Sequence, residues 1–141
     1  MDKLKEIYLT DTGRFNRLKY FKYLMLITIV EIIIDSIIEV IFADKYGVIT
    51  PTGDTFANII FLAFSIPNYF ITVKRLQDFG QDSFWAKVNV ACSLYLLFVL
   101  NIENPSLFDG TVCIAKCILI LFILFKPGDV GENQYGPDPL Q

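Results

Sequence analysis

The sequence predicts an all-α integral membrane protein, a four-helix bundle with both chain ends in the cytoplasm. Hydrophobic residues make up 54% of the 141-residue chain, whereas charged residues make up only 19%. The charged residues are concentrated between long apolar runs, so several of the predicted helices have almost no polar face to turn toward water. Four of these runs are long enough to cross a hydrocarbon core, which takes about 20 residues.

The four predicted spans cover roughly residues 21–43, 56–73, 84–101 and 107–125 of one membrane domain, 1–141. None of them alternates polar and apolar residues as a membrane β-strand does. Helices satisfy their own backbone hydrogen bonds in lipid, so they are the remaining option. The first apolar run is too long for a signal peptide and lacks a small-residue cleavage site, so we expect that helix to be retained.

Lysine and arginine are distributed unevenly along the chain. Six lie in the segment that ends at Lys22, and four more flank the connection between the second and third spans or follow the fourth. The opposite side has Lys45 alone. Because basic residues are retained on the cytoplasmic side, we expect a multi-pass membrane protein with both termini and the middle loop in the cytoplasm.

Shorter segments complete the predicted architecture. Leu4, Ile7 and Tyr8 suit a short cytoplasmic helix that lies in the membrane interface. Asn104-Pro105 predicts a tight second outer loop. The last sixteen residues contain three glycines and three prolines and predict a cytoplasmic tail that folds back in tight turns.

Three short motifs occur in order along the chain: GRFNR at 13–17, RLQDFG at 75–80 leading to Trp85, and KPGDVGENQYGPDP at 126–139. Together they resemble the domain of unknown function 805 family of small bacterial inner-membrane proteins (YhaH type). The resemblance implies four membrane helices and supplies no established activity. The chain departs from the family pattern at Gln77, where histidine is frequent, at Gln81, where a basic residue is common, and at Phe84, which replaces a tryptophan.

By the predicted topology, these three motifs share the cytoplasmic side and can meet in a cap. Asp78 is acidic in a basic layer, so Arg14 or Arg17 is its expected partner. Asn16 suits the N-cap of the first span, and Gly80 allows a turn with positive φ. The cap either ties the three segments together or docks a protein partner or an anionic lipid. Its candidate residues are Arg14, Arg17, Arg75, Asp78, Gly80, Trp85 and Asn133.

The first span carries three acidic residues, Glu31, Asp35 and Glu39, whose spacing of four puts them on one helix face. An ionised side chain at the bilayer centre costs about 2.5–3.5 kcal/mol, so compensation is expected. Lys116 lies at a similar depth in the fourth span; we predict a Glu31–Lys116 pair first and an Asp35–Lys116 pair second. Three interpretations of this acidic stripe are open. It fixes the helix register through such a pair, or it lines a water-filled cavity that handles cations or protons, or it faces another subunit of a homo-oligomer.

Several functional classes have no support in the sequence. The chain has no histidine and no visible nucleophile–base constellation, so we do not expect an enzyme. Its three cysteines lie in apolar runs and are interpreted as reduced packing residues, and no metal, cofactor or nucleic-acid site is predicted. We therefore expect a membrane scaffold or adaptor whose cap binds a protein partner or anionic lipid. The alternative is an oligomeric proton- or cation-handling channel or transporter.

Overall fold

The computed structural model describes residues 2–99 and 106–140, which form five α-helices and no β-strand. A short helix precedes four longer ones, in the order expected from the sequence. The helices are α1 (Asp2–Tyr8), α2 (Arg17–Phe42), α3 (Pro51–Gln77), α4 (Phe84–Val99) and α5 (Leu107–Phe125).

The helices α2 and α3 extend about one turn beyond the predicted spans because polar caps, and not apolar residues, set their ends. The Asn16 side chain accepts a hydrogen bond from the Lys19 N–H at 2.8 Å and starts α2, as expected. The Thr50 side chain accepts a hydrogen bond from the Gly53 N–H at the start of α3, and Pro51 occupies the first helical position. Hydropathy locates the apolar middle of such a helix and not its polar first turn.

The described part of α4 ends at Val99, so the end of the predicted third span and the predicted loop at Asn104-Pro105 lie outside the described residues. α5 has the bounds expected from its hydropathy. Ser106 and Asp109 form a capping box at its start, in which each side chain accepts a hydrogen bond from the backbone N–H of the other.

The long helices pack mainly on their neighbours in sequence: α2 on α3, α3 on α4 and α4 on α5. Contacts of α5 with α2 and α3 close the bundle, and α1 lies against α3. The buried core is concentrated at one end, where α2 begins and where α3 and α5 finish. Its largest fully buried hydrophobic members are Tyr20, Ile71, Leu76 and Ile123.

Two of the described helices, α3 and α5, are long and apolar enough to cross a membrane. Few residues in the apolar stretches of these two helices are buried, unlike those of the core helix of a soluble protein. For example, Ile114, Ile118 and Leu121 of α5 are 62%, 62% and 52% exposed. α2 carries three acidic residues in its apolar stretch, and α4 is described over 16 residues only. The two apolar helices point to a membrane protein.

Candidate functional site

Three segments meet at the well-packed end of the bundle and form what we call the cap: residues 11–17, 74–81 and 126–140. Arg75, from the last turn of α3, lies at its centre and is fully buried. Its guanidinium donates from Nε to the Ile123 carbonyl at 3.0 Å, from Nη1 to the Phe15 carbonyl at 3.4 Å, and from Nη2 to the Lys126 carbonyl. A rigid guanidinium with five donors suits this role. One side chain thus joins all three segments.

Arg14 connects the first segment to the C-terminal tail. Its side chain is 1% exposed. Nη1 donates to the carbonyls of Gly131 and Gly136 at 2.6 and 3.2 Å, and Nη2 donates to the carbonyl of Asp129 at 2.6 Å. The tail is therefore wrapped around a buried cation through its own backbone, which explains why it is folded and not extended.

Asp78 neutralises both arginines. Its Oδ2 lies 2.5 Å from Arg75 Nη1 and its Oδ1 lies 3.4 Å from Arg14 Nη2. Burial raises the pKa of the Asp78 carboxyl, while the two guanidinium groups oppose that rise. The Asp78 carbonyl also accepts from the Asp129 N–H at 2.7 Å. Among the residues described, these two contacts are the ion pairs of the molecule.

Polar contacts of Gln77 extend the same network outward. Its side-chain Nε2 donates to the Asp11 carbonyl at 2.7 Å, and its backbone carbonyl accepts from Asn133 Nδ2 at 2.9 Å. Gly80 adopts a φ of +71°, the left-handed conformation expected for the turn after α3. The side-chain amide at position 77 therefore has a hydrogen bond of its own in this chain.

Lys74 fixes the N-terminal helix to the cap, a contact that the sequence analysis did not predict. Its ammonium donates to the carbonyls of Glu6 and Ile7, the second at 3.0 Å, at the C-terminal end of α1. It also lies 5.1 Å from the centre of the Phe15 ring. The cation is 2% exposed, so α1 covers it.

Two of the predicted cap residues lie outside the buried network. Arg17 is exposed at the start of α2 and lines a groove of about 230 Å³ together with Asn16 and tail residues. Trp85 is 43% exposed on α4 and stacks edge-on against Phe84 at 5.4 Å. Arg17 is therefore not the partner of Asp78; that position belongs to Arg14 and Arg75.

Inside the bundle, Glu31 and Lys116 line one polar cavity of about 200 Å³ to which α2, α3, α4 and α5 all contribute. The predicted Glu31–Lys116 and Asp35–Lys116 ion pairs are absent from residues 2–99 and 106–140. The prediction of a direct pair was wrong because similar depth does not bring two side chains into contact when a cavity lies against both. Other polar groups line that cavity as well, including Ser65, Asn68, Thr72, Asn89 and Ser93.

The remaining acidic residues of α2 are placed differently. One oxygen of Asp35 is buried without a hydrogen-bond partner, and Glu39 is exposed. Asn89, which does line the cavity, also has a buried side-chain oxygen without a partner. No group of three potential metal ligands occurs within the described ranges.

The sequence contained a signal for one cap contact that it failed to predict, the Arg75–Asp78 ion pair. Arg75 and Asp78 are separated by three positions at a helix end, a spacing at which opposite charges meet. The carbonyls of Asp129, Gly131 and Gly136, which Arg14 binds, have no signal in side-chain chemistry. They are predictable only once the tail conformation is known.

The fold and the cap define a small all-helical protein with two helices able to cross a membrane and a buried arginine–aspartate cluster at one end. The family model described as "Protein of unknown function (DUF805)" matches residues 8–137. The chain therefore belongs to this family, whose members have no assigned activity. No curated protein and no solved structure matches the chain.

Proposed function

We propose that the chain is a scaffold or adaptor without catalysis of its own, which crosses the cell inner membrane with four of its helices and docks a protein partner at its cytoplasmic cap. Four crossings by α2, α3, α4 and α5 are supported by the outward-facing apolar side chains of α5 and by the length of α2. Its 26 residues extend about 39 Å, more than the hydrocarbon core requires.

The proposed orientation is supported by the positions of the basic residues. Of the twelve lysines and arginines, only Lys45 lies at the end opposite the cap and only Lys116 lies within the bundle. The rest flank or form the cap end. Retention of positive charge on the cytoplasmic side then puts the cap in the cytoplasm.

The docking proposal depends on one observation: the tail is held in place by buried charged groups and has exposed apolar side chains. Arg14, Arg75 and Asp78 engage one another and the surrounding backbone, so they hold the tail in place and have few donors left for a ligand. The ordered tail presents Val130 and Leu140, which are 95% and 79% exposed. Both line the same groove as Arg17. Apolar side chains rimmed by charge on a fixed backbone are typical of protein–protein contacts.

Site-specific photo-crosslinking in living cells tests this proposal. A photoreactive amino acid at Val130 is expected to give one discrete adduct, and the Leu140→Asp substitution is expected to remove it. The matched control has the photoreactive group at Val48, which is 61% exposed at the other end of the bundle. The same adduct from both positions, or no adduct from Val130, would contradict docking at the cap.

A second candidate function is proton or cation handling by an oligomer, and the polar cavity favours it. A cavity of about 200 Å³ lined by Glu31 and Lys116 has room for several waters at about 30 Å³ each. Ionisable residues facing such a cavity within a membrane frequently mark ion or proton paths. Four helices of this length seldom enclose a complete path, so a homo-oligomer is part of this candidate.

Flux measurements in proteoliposomes separate the two candidates. Glu31 and Lys116 are the acidic and basic residues of α2 and α5 that line the cavity. If Glu31→Gln or Lys116→Met leaves the protein folded and alters proton or cation flux, the adaptor proposal fails as a full account. If the wild-type protein shows no proton or cation flux and the substitutions only lower its stability, the transport candidate is rejected. Glu39→Gln is the control, because this exposed carboxylate does not line the cavity.

A further inference from the structure

A large apolar groove lies beside the cap, between the N-terminal helix and the bundle. Its volume is about 650 Å³, within the range of sites for small organic ligands. Three helices form its walls. Its apolar lining includes Leu4 and Tyr8 of α1, Leu26 and Val30 of α2, and Phe64 and Pro67 of α3.

One charged residue lines the groove beside its apolar walls. Lys5 lines it from α1, is exposed, and forms no ion pair within the described ranges. The Tyr8 hydroxyl is buried, and the Tyr8 ring packs edge-on against Tyr23, which does not line the groove, with ring centres 5.7 Å apart. An unpaired cation thus adjoins an apolar channel.

The dimensions of the groove fit one leaflet of a bilayer. α1 is fixed at the cap end, since Lys74 binds the carbonyls of Glu6 and Ile7. Val30 lies thirteen residues along α2 from Arg17, or about 20 Å. A groove that starts at the interfacial helix and reaches this depth extends to about the middle of a 30 Å hydrocarbon core.

We propose that this groove binds an anionic phospholipid, with an acyl chain against α2 and α3 and the phosphate at Lys5. The inference rests on the membrane placement proposed above and is independent of the docking of a protein at the tail. A phosphate is complementary to the unpaired ammonium, and the apolar channel accommodates the acyl chain. An uncharged lipid would leave the ammonium without an anionic partner.

Native mass spectrometry of the detergent-purified full chain tests the proposal. The protein is incubated with phosphatidylglycerol or with phosphatidylcholine that has the same acyl chains, and the bound fraction is measured. We expect preferential retention of phosphatidylglycerol, weakened about fivefold by Lys5→Ala. Leu26→Trp, which fills the groove, should abolish retention.

Two control substitutions make the result specific. Lys3→Ala removes the same charge from α1 at a position outside the groove lining, and Ile29→Trp adds the same bulk to α2 at an equal 49% exposure. Both should retain lipid within about twofold of wild type. Equal binding of the two lipids, or equal losses in Lys3→Ala and Lys5→Ala, would overturn the site. Failure of the membrane placement itself would instead be seen as protein that stays monodisperse without detergent.

Discussion

Asp78 is the residue on which the cap depends most directly, because it is the shared anion of two buried arginines. Its side chain is 3% exposed, and those of Arg14 and Arg75 are 1% and 0% exposed. Removing one partner of a buried ion pair leaves the other charge without compensation and costs about 3–5 kcal/mol. Because the Asp78 contacts with Arg14 and Arg75 stabilise the cap, a single substitution at one of these residues should destabilise it.

A double-mutant cycle on Arg14 and Asp78 measures this coupling. We expect Arg14→Ala and Asp78→Ala each to lower the free energy of unfolding, and the pair to show a coupling of about 1–3 kcal/mol. Equilibrium unfolding in mixed micelles, followed by circular dichroism, gives the free energies. Arg17→Ala combined with Asp78→Ala is the control and should be additive, because Arg17 is exposed outside the network. Additivity of the Arg14 and Asp78 changes would rule out the contact.

Gly128 is a second residue at which we expect a single substitution to lower the stability of the cap. A Cβ at this position would overlap with Asp78 Oδ2, and that carboxylate is held by two guanidinium groups. Gly128→Ala should therefore lower the free energy of unfolding by about 1–3 kcal/mol, as overpacking does. Gly110→Ala is matched to it, since a Cβ there meets nothing within 4 Å. Equal stability of the two variants would mean that the tail does not approach Asp78 this closely.

At the scale of elements, the C-terminal tail is the part whose conformation depends most on hydrogen bonds to charged groups. The Asp138 carboxylate accepts from the backbone N–H groups of Gly131 and Leu140 at 3.0 and 2.9 Å. These two bonds lower the pKa of Asp138 in the folded protein. The tail is thus closed on itself by an anion, in addition to being held by Arg14.

This contact predicts an acid-sensitive tail. Because the folded pKa of Asp138 is below the unfolded value of about 3.9, its stabilising contribution is present above that pH and is lost as the pH falls through the folded pKa. Limited proteolysis of the tail should accelerate on acidification below about pH 4. Asp138→Asn should lose this part of the pH dependence. An identical pH profile in both proteins would show that Asp138 does not hold the tail.

The helices differ in how far the sequence could predict them. α5 is recognised with its bounds because an apolar run follows directly on the Ser106–Asp109 capping box. The start of α3 was missed because Pro51 to Thr55 is polar and hydropathy favours the apolar middle of the helix. The position of α1 could not be predicted at all, since it depends on Lys74 reaching backbone carbonyls about 70 residues away in sequence.

At the scale of the whole molecule, the distribution of charge determines the arrangement. Apolar side chains cover the outside of the long helices, the buried ion pairs lie at one end, and a polar cavity lies between α2, α3, α4 and α5. Depth counting located Glu31 and Lys116 at the same level of the bundle. It could not predict that they share a cavity without a direct pair, because that depends on the rotation of α2 and α5 about their axes.

Single-cysteine labelling tests most directly the proposed four-span topology with the cap on the cytoplasmic side. Cys92, Cys113 and Cys117 are replaced by serine, and one cysteine is introduced at Tyr46 or at Val130, which are 77% and 95% exposed at opposite ends of the bundle. In spheroplasts, a membrane-impermeant maleimide should label the cysteine at 46 and should reach the cysteine at 130 only after permeabilisation. Labelling of both positions in intact spheroplasts, or the reverse pattern, would contradict the account.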